Sequence, residues 1–148
     1  MSYMTSLKPL SKSTKFPLVQ LFRGSSLTLS AADALLSGAE VMSEGQVDGE
    51  GGARSYSGST LLTIDLDRRF DLGGAEQLDT LVSCARRSLL MRIGVLRLAR
   101  REAERKCAPF LIREMNAETA FRREGRRLLV DVDVECPVAA VNESEGEG

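Results

Sequence analysis

Two stretches of the chain alternate apolar and polar side chains with a period of two. In "STLLTIDLDRRF", Leu62, Ile64 and Leu66 fall on one face and Thr63, Asp65 and Asp67 on the other. In "RRLLVDVDVECP", Leu128, Val130, Val132, Val134 and Cys136 alternate with Asp131, Asp133 and Glu135. That is the signature of a half-buried strand. Between them the period changes. In "DLGGAEQLDTLVSCARRSLLM", Leu78, Leu81, Val82, Ala85 and Leu89 recur at i, i+3, i+4 and i+7, which predicts one amphipathic helix over about 74–91. Arg86 and Arg87 stand in its later half, where positive charge suits the helix dipole.

The remaining elements follow from shorter signals. "PLVQLFR" (17–23) predicts a short strand. A short helix is expected near 31–37, with Ser30 as N-cap, Asp33 in a capping-box-like spacing and Gly38 at the stop. Residues 43–59 are rich in glycine and poor in apolar anchors, so a flexible, acidic loop is expected there. "IGVLRLA" and "APFLIRE" are read as strands, since Ile93 and Val95 flank Gly94 and Leu96 and Leu98 alternate with Arg97. The competing reading continues the helix to Lys106 and places Gly94 inside it, at a cost of about 1 kcal/mol relative to alanine. "AFRREGRRLLVDVDVEC" predicts a hairpin turning at Glu124–Gly125, where glycine supplies the positive φ.

Together these elements predict an α+β fold. A mainly antiparallel sheet carries one principal helix, about 74–91, on one face, with a short helix near 31–37. The expected organisation is a basic arm over 1–16, one domain over 17–137 and an acidic tail over 138–148. A chain of 148 residues is long enough for one sizeable core.

Charge changes the picture more than composition does. The net charge is only −1, yet it is strongly segregated along the chain. Residues 1–30 hold four bases and no acid, and residues 31–67 hold seven acids against Arg54. Residues 68–127 hold fourteen arginines and Lys106 against eight acids, and residues 128–148 hold six acids and no base. Net charge therefore says nothing about partners, whereas the Arg-rich segment 68–127 does. No run approaches the roughly 18 apolar residues of a membrane helix, so no membrane partner is expected. The basic, Ser/Thr-rich start has the composition of an organelle transit peptide, although Pro9 and Pro17 interrupt an amphipathic helix there. A cytoplasmic or virion location is the main expectation. Cys84, Cys107 and Cys136 form no CxxC pair and are expected as buried, reduced thiols.

The absent residue types exclude much chemistry. With no histidine, Ser-His-Asp and Cys-His catalysis and most zinc sites are removed. No P-loop and no GxGxxG after a strand is present. Seven aromatic residues, none of them tryptophan, supply a poor platform for stacking single-stranded nucleic acid. No enzyme activity and no cofactor is expected.

Two constellations remain. Asp131, Asp133 and Glu135 stand about 7 Å apart along one strand face, close enough to share a divalent ion if a neighbouring strand adds ligands. With Asp65 and Asp67 on such a neighbour, a metal-dependent hydrolase becomes an alternative. The simpler reading leaves the acids in water and puts the valines in the core, and no lysine or histidine lies beside the acids to serve as a base. The second constellation is a set of arginine pairs. Arg68, Arg69, Arg97, Arg100, Arg101, Arg122, Arg123, Arg126 and Arg127 are read, with Asp131, Asp133 and Glu135, as protein–protein interface residues. Phosphate binding to nucleic acid is the alternative, because guanidinium groups suit that geometry. Adjacent residues of a strand point to opposite sides, however, so no such pair forms one patch.

The order strand "LLTIDLDRR", helix "AEQLDTLVSCARRSLL", further strands, and a long closing strand "RRLLVDVDVEC" resembles the tail-terminator and tail-completion proteins of tailed phages. The resemblance covers roughly residues 60–136 and lies in element order, so it transfers no functional residue. It implies a helix-backed sheet that forms a ring through charged edges, with long loops contacting the tail tube or neck. The expected function is a non-catalytic structural or assembly protein, a homo-oligomer that also meets other assembly proteins.

Overall fold

In a computed structural model that describes residues 15–24 and 26–140, small elements precede a long-stranded sheet. Strand β1 (Phe16–Pro17), a 3-10 turn (Leu18–Gln20), β2 (Phe22–Arg23) and β3 (Ser26–Leu27) lead into helix α1 (Leu29–Ser37). Strands β4 (Glu40–Glu50) and β5 (Ala53–Asp65) follow, then the one-turn helix α2 (Leu66–Arg69) and β6 (Phe70–Asp71). Helices α3 (Ala75–Arg87) and α4 (Leu89–Lys106) come next, and β7 (Phe110–Ile112), β8 (Asn116–Glu124) and β9 (Arg127–Ala140) close the fold. The sheet runs β4-β5-β9, with β8 and β7 both on the far edge of β9, and every pairing in it is antiparallel. The fold is α+β, with several helices beside the sheet.

The predicted alternation sets which face is buried. Leu128, Val130, Val132, Val134, Cys136 and Val138 on β9 are buried, as are Tyr56, Thr60, Leu62 and Ile64 on β5. Helix α3 brings Leu78, Leu81, Val82, Cys84 and Ala85 into the same core, α4 brings Met91, Val95, Ala99 and Ala103, and α1 brings Ala31, Ala32 and Leu35. All three cysteines are buried. The β8–β9 hairpin turns at Gly125, whose φ is +61°.

Several expectations need correction. Residues 43–59 are strand rather than flexible loop. Gly51 and Gly52 form the two-residue turn between Glu50 and Ala53, a tight-hairpin signal in its own right. Gly45 and Gly58 lie opposite each other across β4 and β5. A side chain at either would overlap the Tyr56 ring, so these glycines mark a close approach of a buried aromatic.

Helix 74–91 is two helices, broken at Ser88. Its extended backbone (φ −72°, ψ 118°) ends α3, and its side chain accepts from the Met91 backbone N–H to start α4. The chain turns there, so Leu89, expected on the buried stripe, is 63% exposed.

Residues 92–106 are helix rather than strand. Met91, Val95, Ala99 and Ala103 recur every fourth residue on the buried side, and this stripe outweighs the short alternation around Gly94. A Cβ at Gly94 would overlap Leu36 of α1, so the glycine lets the two helices approach. In "APFLIRE", Phe110–Ile112 alone is strand.

Smaller shifts concern the ends. Thr28, not Ser30, caps α1, accepting from Ala31 N at 3.0 Å. Residues 17–23 hold strand ends on either side of a 3-10 turn rather than one strand. Strand β9 runs to Ala140, past the expected boundary at 137, while residues 141–148 of the acidic tail lie outside the described residues. The basic arm and the candidate transit peptide lie outside them too, as far as residue 14.

Candidate interaction surfaces

The register of the four strands composes the sheet face that points away from the core. One row across it reads Glu44, Ser59, Asp133, Glu118, and the next reads Gln46, Ser57, Glu135, Asn116. A third reads Met42, Leu61, Asp131, Ala120, and a fourth Glu40, Thr63, Leu129, Arg122. Asp48, Glu50, Asp65, Glu124 and Arg127 share this face by the same pairings. It therefore carries ten carboxylates against Arg122 and Arg127. Asp133 and Glu135 are exposed, whereas Asp131 is half-buried and accepts from Arg122 Nε at 3.1 Å.

The acids do not converge on an ion. Asp65 faces Arg127 across the β5–β9 pair, while Asp131, Asp133 and Glu135 face Leu61, Ser59 and Ser57. Asp67 has left the sheet for α2 and accepts from Arg126. Among the described residues no three carboxylates or thiols stand where one ion could be shared. Asp133 and Glu118 directly oppose each other, a like-charge pair that costs stability in a sheet.

Positive charge gathers on the opposite layer. Helix α4 carries Arg92, Arg97, Arg100, Arg101, Arg105 and Lys106 against Glu102 and Glu104. Arg100 donates to the Ile112 carbonyl oxygen at 3.2 Å and lies 3.5 Å from Glu104. Arg105 donates to Glu102 at 2.8 Å. Arg92, Arg97 and Arg101 are exposed and meet no partner among the described residues. Beside them Leu89, Leu90 and Ile93 are also exposed.

The other predicted interface arginines scatter. Arg122 lies on the acidic face, while Arg123, its neighbour in sequence, points to the helix side and donates to Asp79 of α3 at 3.0 Å. Arg126 sits in the hairpin turn and donates to Asp67 and to the Gly73 carbonyl oxygen. Arg68 and Arg69 ride on α2 beside a cleft of about 350 Å³, which Arg127, Glu40, Asp65, Thr63 and Gly38 complete. Arg69 donates to Ser37 Oγ at 3.3 Å there. Sequence reasoning missed Met42, Leu89, Leu90 and Ile93 as surface residues. Only the break at Ser88 and the strand register of β4 place them outside.

Among the described residues no helix is long and apolar enough to cross a membrane. Compared with known proteins, the chain matches no family model, no curated protein and no solved structure.

Proposed function

We propose that this protein is a non-catalytic assembly protein that works by self-association through oppositely charged surfaces. One observation carries the reading: the acids of β4, β8 and β9 share an open sheet face, while α4, on the helix-covered side, is net positive. Opposite potentials on two faces of one molecule favour contact between copies and suppress contact of like faces. The absence of histidine and the burial of all three thiols support a role without catalysis. A place in a virion tail or neck is the finer form of this proposal and rests on element order alone.

Size-exclusion chromatography with light scattering, at about 30 mM and 500 mM salt, tests the reading. The expected outcome is an oligomer at low salt whose mass falls at high salt, because exposed charges are screened over a few ångströms there. A monomer at both salts and at high protein concentration overturns it.

A second reading, nucleic-acid binding, is favoured by Arg92, Arg97 and Arg101 on one helix, which meet no partner among the described residues. It predicts binding whose affinity falls steeply as salt rises, with no change in the protein's own mass.

A further inference from the structure

The two charged surfaces each have an apolar centre. On the sheet face, Met42 is 69% exposed and stands beside Leu61. Glu40, Glu44, Asp131 and Asp133 surround this pair in the strand register. On α4, Leu89, Leu90 and Ile93 are 63%, 52% and 37% exposed, and Arg92, Arg97 and Arg101 border them on the same helix. An apolar centre with a charged rim is the composition of a protein–protein contact, and here the two rims have opposite signs. From Leu89 to Arg101 the helix spans about 18 Å. That is comparable to the roughly 13 Å from Glu40 to Glu44 along β4 plus a side chain at each end.

We infer that the protein docks head to tail on itself: the acid-rimmed face around Met42 and Leu61 of one copy seats on the Leu89–Ile93 and Arg97–Arg101 side of α4 in the next. This rests on the assembly reading above and specifies its interface. Charge decides against the two symmetric contacts. Sheet face on sheet face would bring carboxylates against carboxylates, and α4 on α4 would bring Arg97 and Arg101 against their own copies. Like charges held across a contact cost several kcal/mol. A contact between two different patches is heterologous, so it propagates into a closed ring or an open chain.

The test uses two charge-reversed full-length proteins. The helix variant is Arg97→Glu with Arg101→Glu, and the sheet variant is Glu44→Arg with Asp133→Arg. The helix variant turns the α4 rim of Arg92, Arg97 and Arg101 net negative, and the sheet variant cancels the negative charge of the rim formed by Glu40, Glu44, Asp131 and Asp133. Each alone is expected to stay monomeric in low salt, by light scattering, where the wild type associates. Mixed in equal amounts, the unaltered sheet face of the helix variant can meet the unaltered α4 of the sheet variant, and the mass should rise above that of either variant alone. Circular dichroism and thermal unfolding establish that each variant is folded. Where a double variant does not fold, the single changes Arg97→Glu and Asp133→Arg replace it.

Three results overturn the inference. If both variants associate like the wild type, this interface is wrong while the assembly reading stands. If each variant is monomeric but mixing restores nothing, the faces meet some other occupant, such as the chain's own basic segment 1–14 or a nucleic acid. If the wild type never associates, the assembly reading falls and takes the docking with it.

Discussion

Glu102 shows how one side chain joins two layers of this molecule. Ser43 Oγ of β4 donates to its Oε1 at 2.8 Å, and Arg105 Nη2 donates to the same oxygen at 2.8 Å. The Arg105 contact, then the Ser43 hydroxyl, hold the Glu102 carboxyl below its usual range. A carboxyl lowered in the folded state adds stability above its unfolded pKa and loses it as pH falls through the folded value. Glu102→Gln should therefore cost about 1 kcal/mol at pH 7, the scale of one net hydrogen bond to a charged group that stays partly solvated. The gap to wild type should narrow below about pH 4, where the wild-type carboxyl also loses its charge. Urea denaturation at pH 7 and pH 3 checks both parts, and a gap that stays constant would rule out the ionised contact as its cause. Close by, burial pushes Tyr56, Cys107 and Cys136 above their ordinary pKa values, so all three remain neutral at pH 7.

At the scale of elements, the β4–β5 hairpin and the α3–α4 pair were the least legible parts of the chain. Glycine normally weakens a strand, because it adds backbone entropy and no side chain to pack. Gly45 and Gly58 instead make room for Tyr56, which is 2% exposed and lies over both. Gly58→Ala would place a methyl 2.5 Å from the Tyr56 hydroxyl oxygen and 2.7 Å from its ring. Overpacking of this kind costs about 1–3 kcal/mol. The expected result is a lower urea midpoint for Gly58→Ala that Gly52→Ala, at a turn position with open space around it, does not share. For α4, the sequence window around Gly94 supports both periods, and the helix is decided by what it crosses. Its stripe from Met91 to Ala103 faces the sheet, and Gly94 meets Leu36 of α1. The hairpin at Gly125 and the strands around Ile64 and Val132 were legible, because a turn signal and a period of two need only near neighbours.

At the scale of the whole molecule, the acidic row that begins with Asp131 extends across four strands. Such a face carries a cost within the monomer and a use outside it. Replacing Glu118 by Gln together with Asp133 by Asn removes a directly opposed like-charge pair, and such pairs destabilise a sheet. The double variant should have a higher urea midpoint than the wild type and a weaker tendency to associate at low salt. Two measurements on one protein, chemical denaturation and light scattering, check this. Equal or stronger association would mean that this part of the acidic face does not meet a partner.

The sequence by itself determined which residues of β9 and of the Leu62–Ile64 end of β5 face inward, the alternation that keeps the acids of β9 out of the core, and the α+β class. Those features depend on the fixed period of a strand or a helix, which a short window already carries. Tertiary structure decided that the glycine-rich run on both sides of the Gly51–Gly52 turn pairs as strand, that α3 and α4 part at Ser88, and that acids from four strands share one face. Each of these depends on a neighbour distant in sequence: Tyr56 over Gly45, Leu36 against Gly94, Glu118 opposite Asp133. Strand pairing and helix crossing bring such residues together, and no local pattern encodes them.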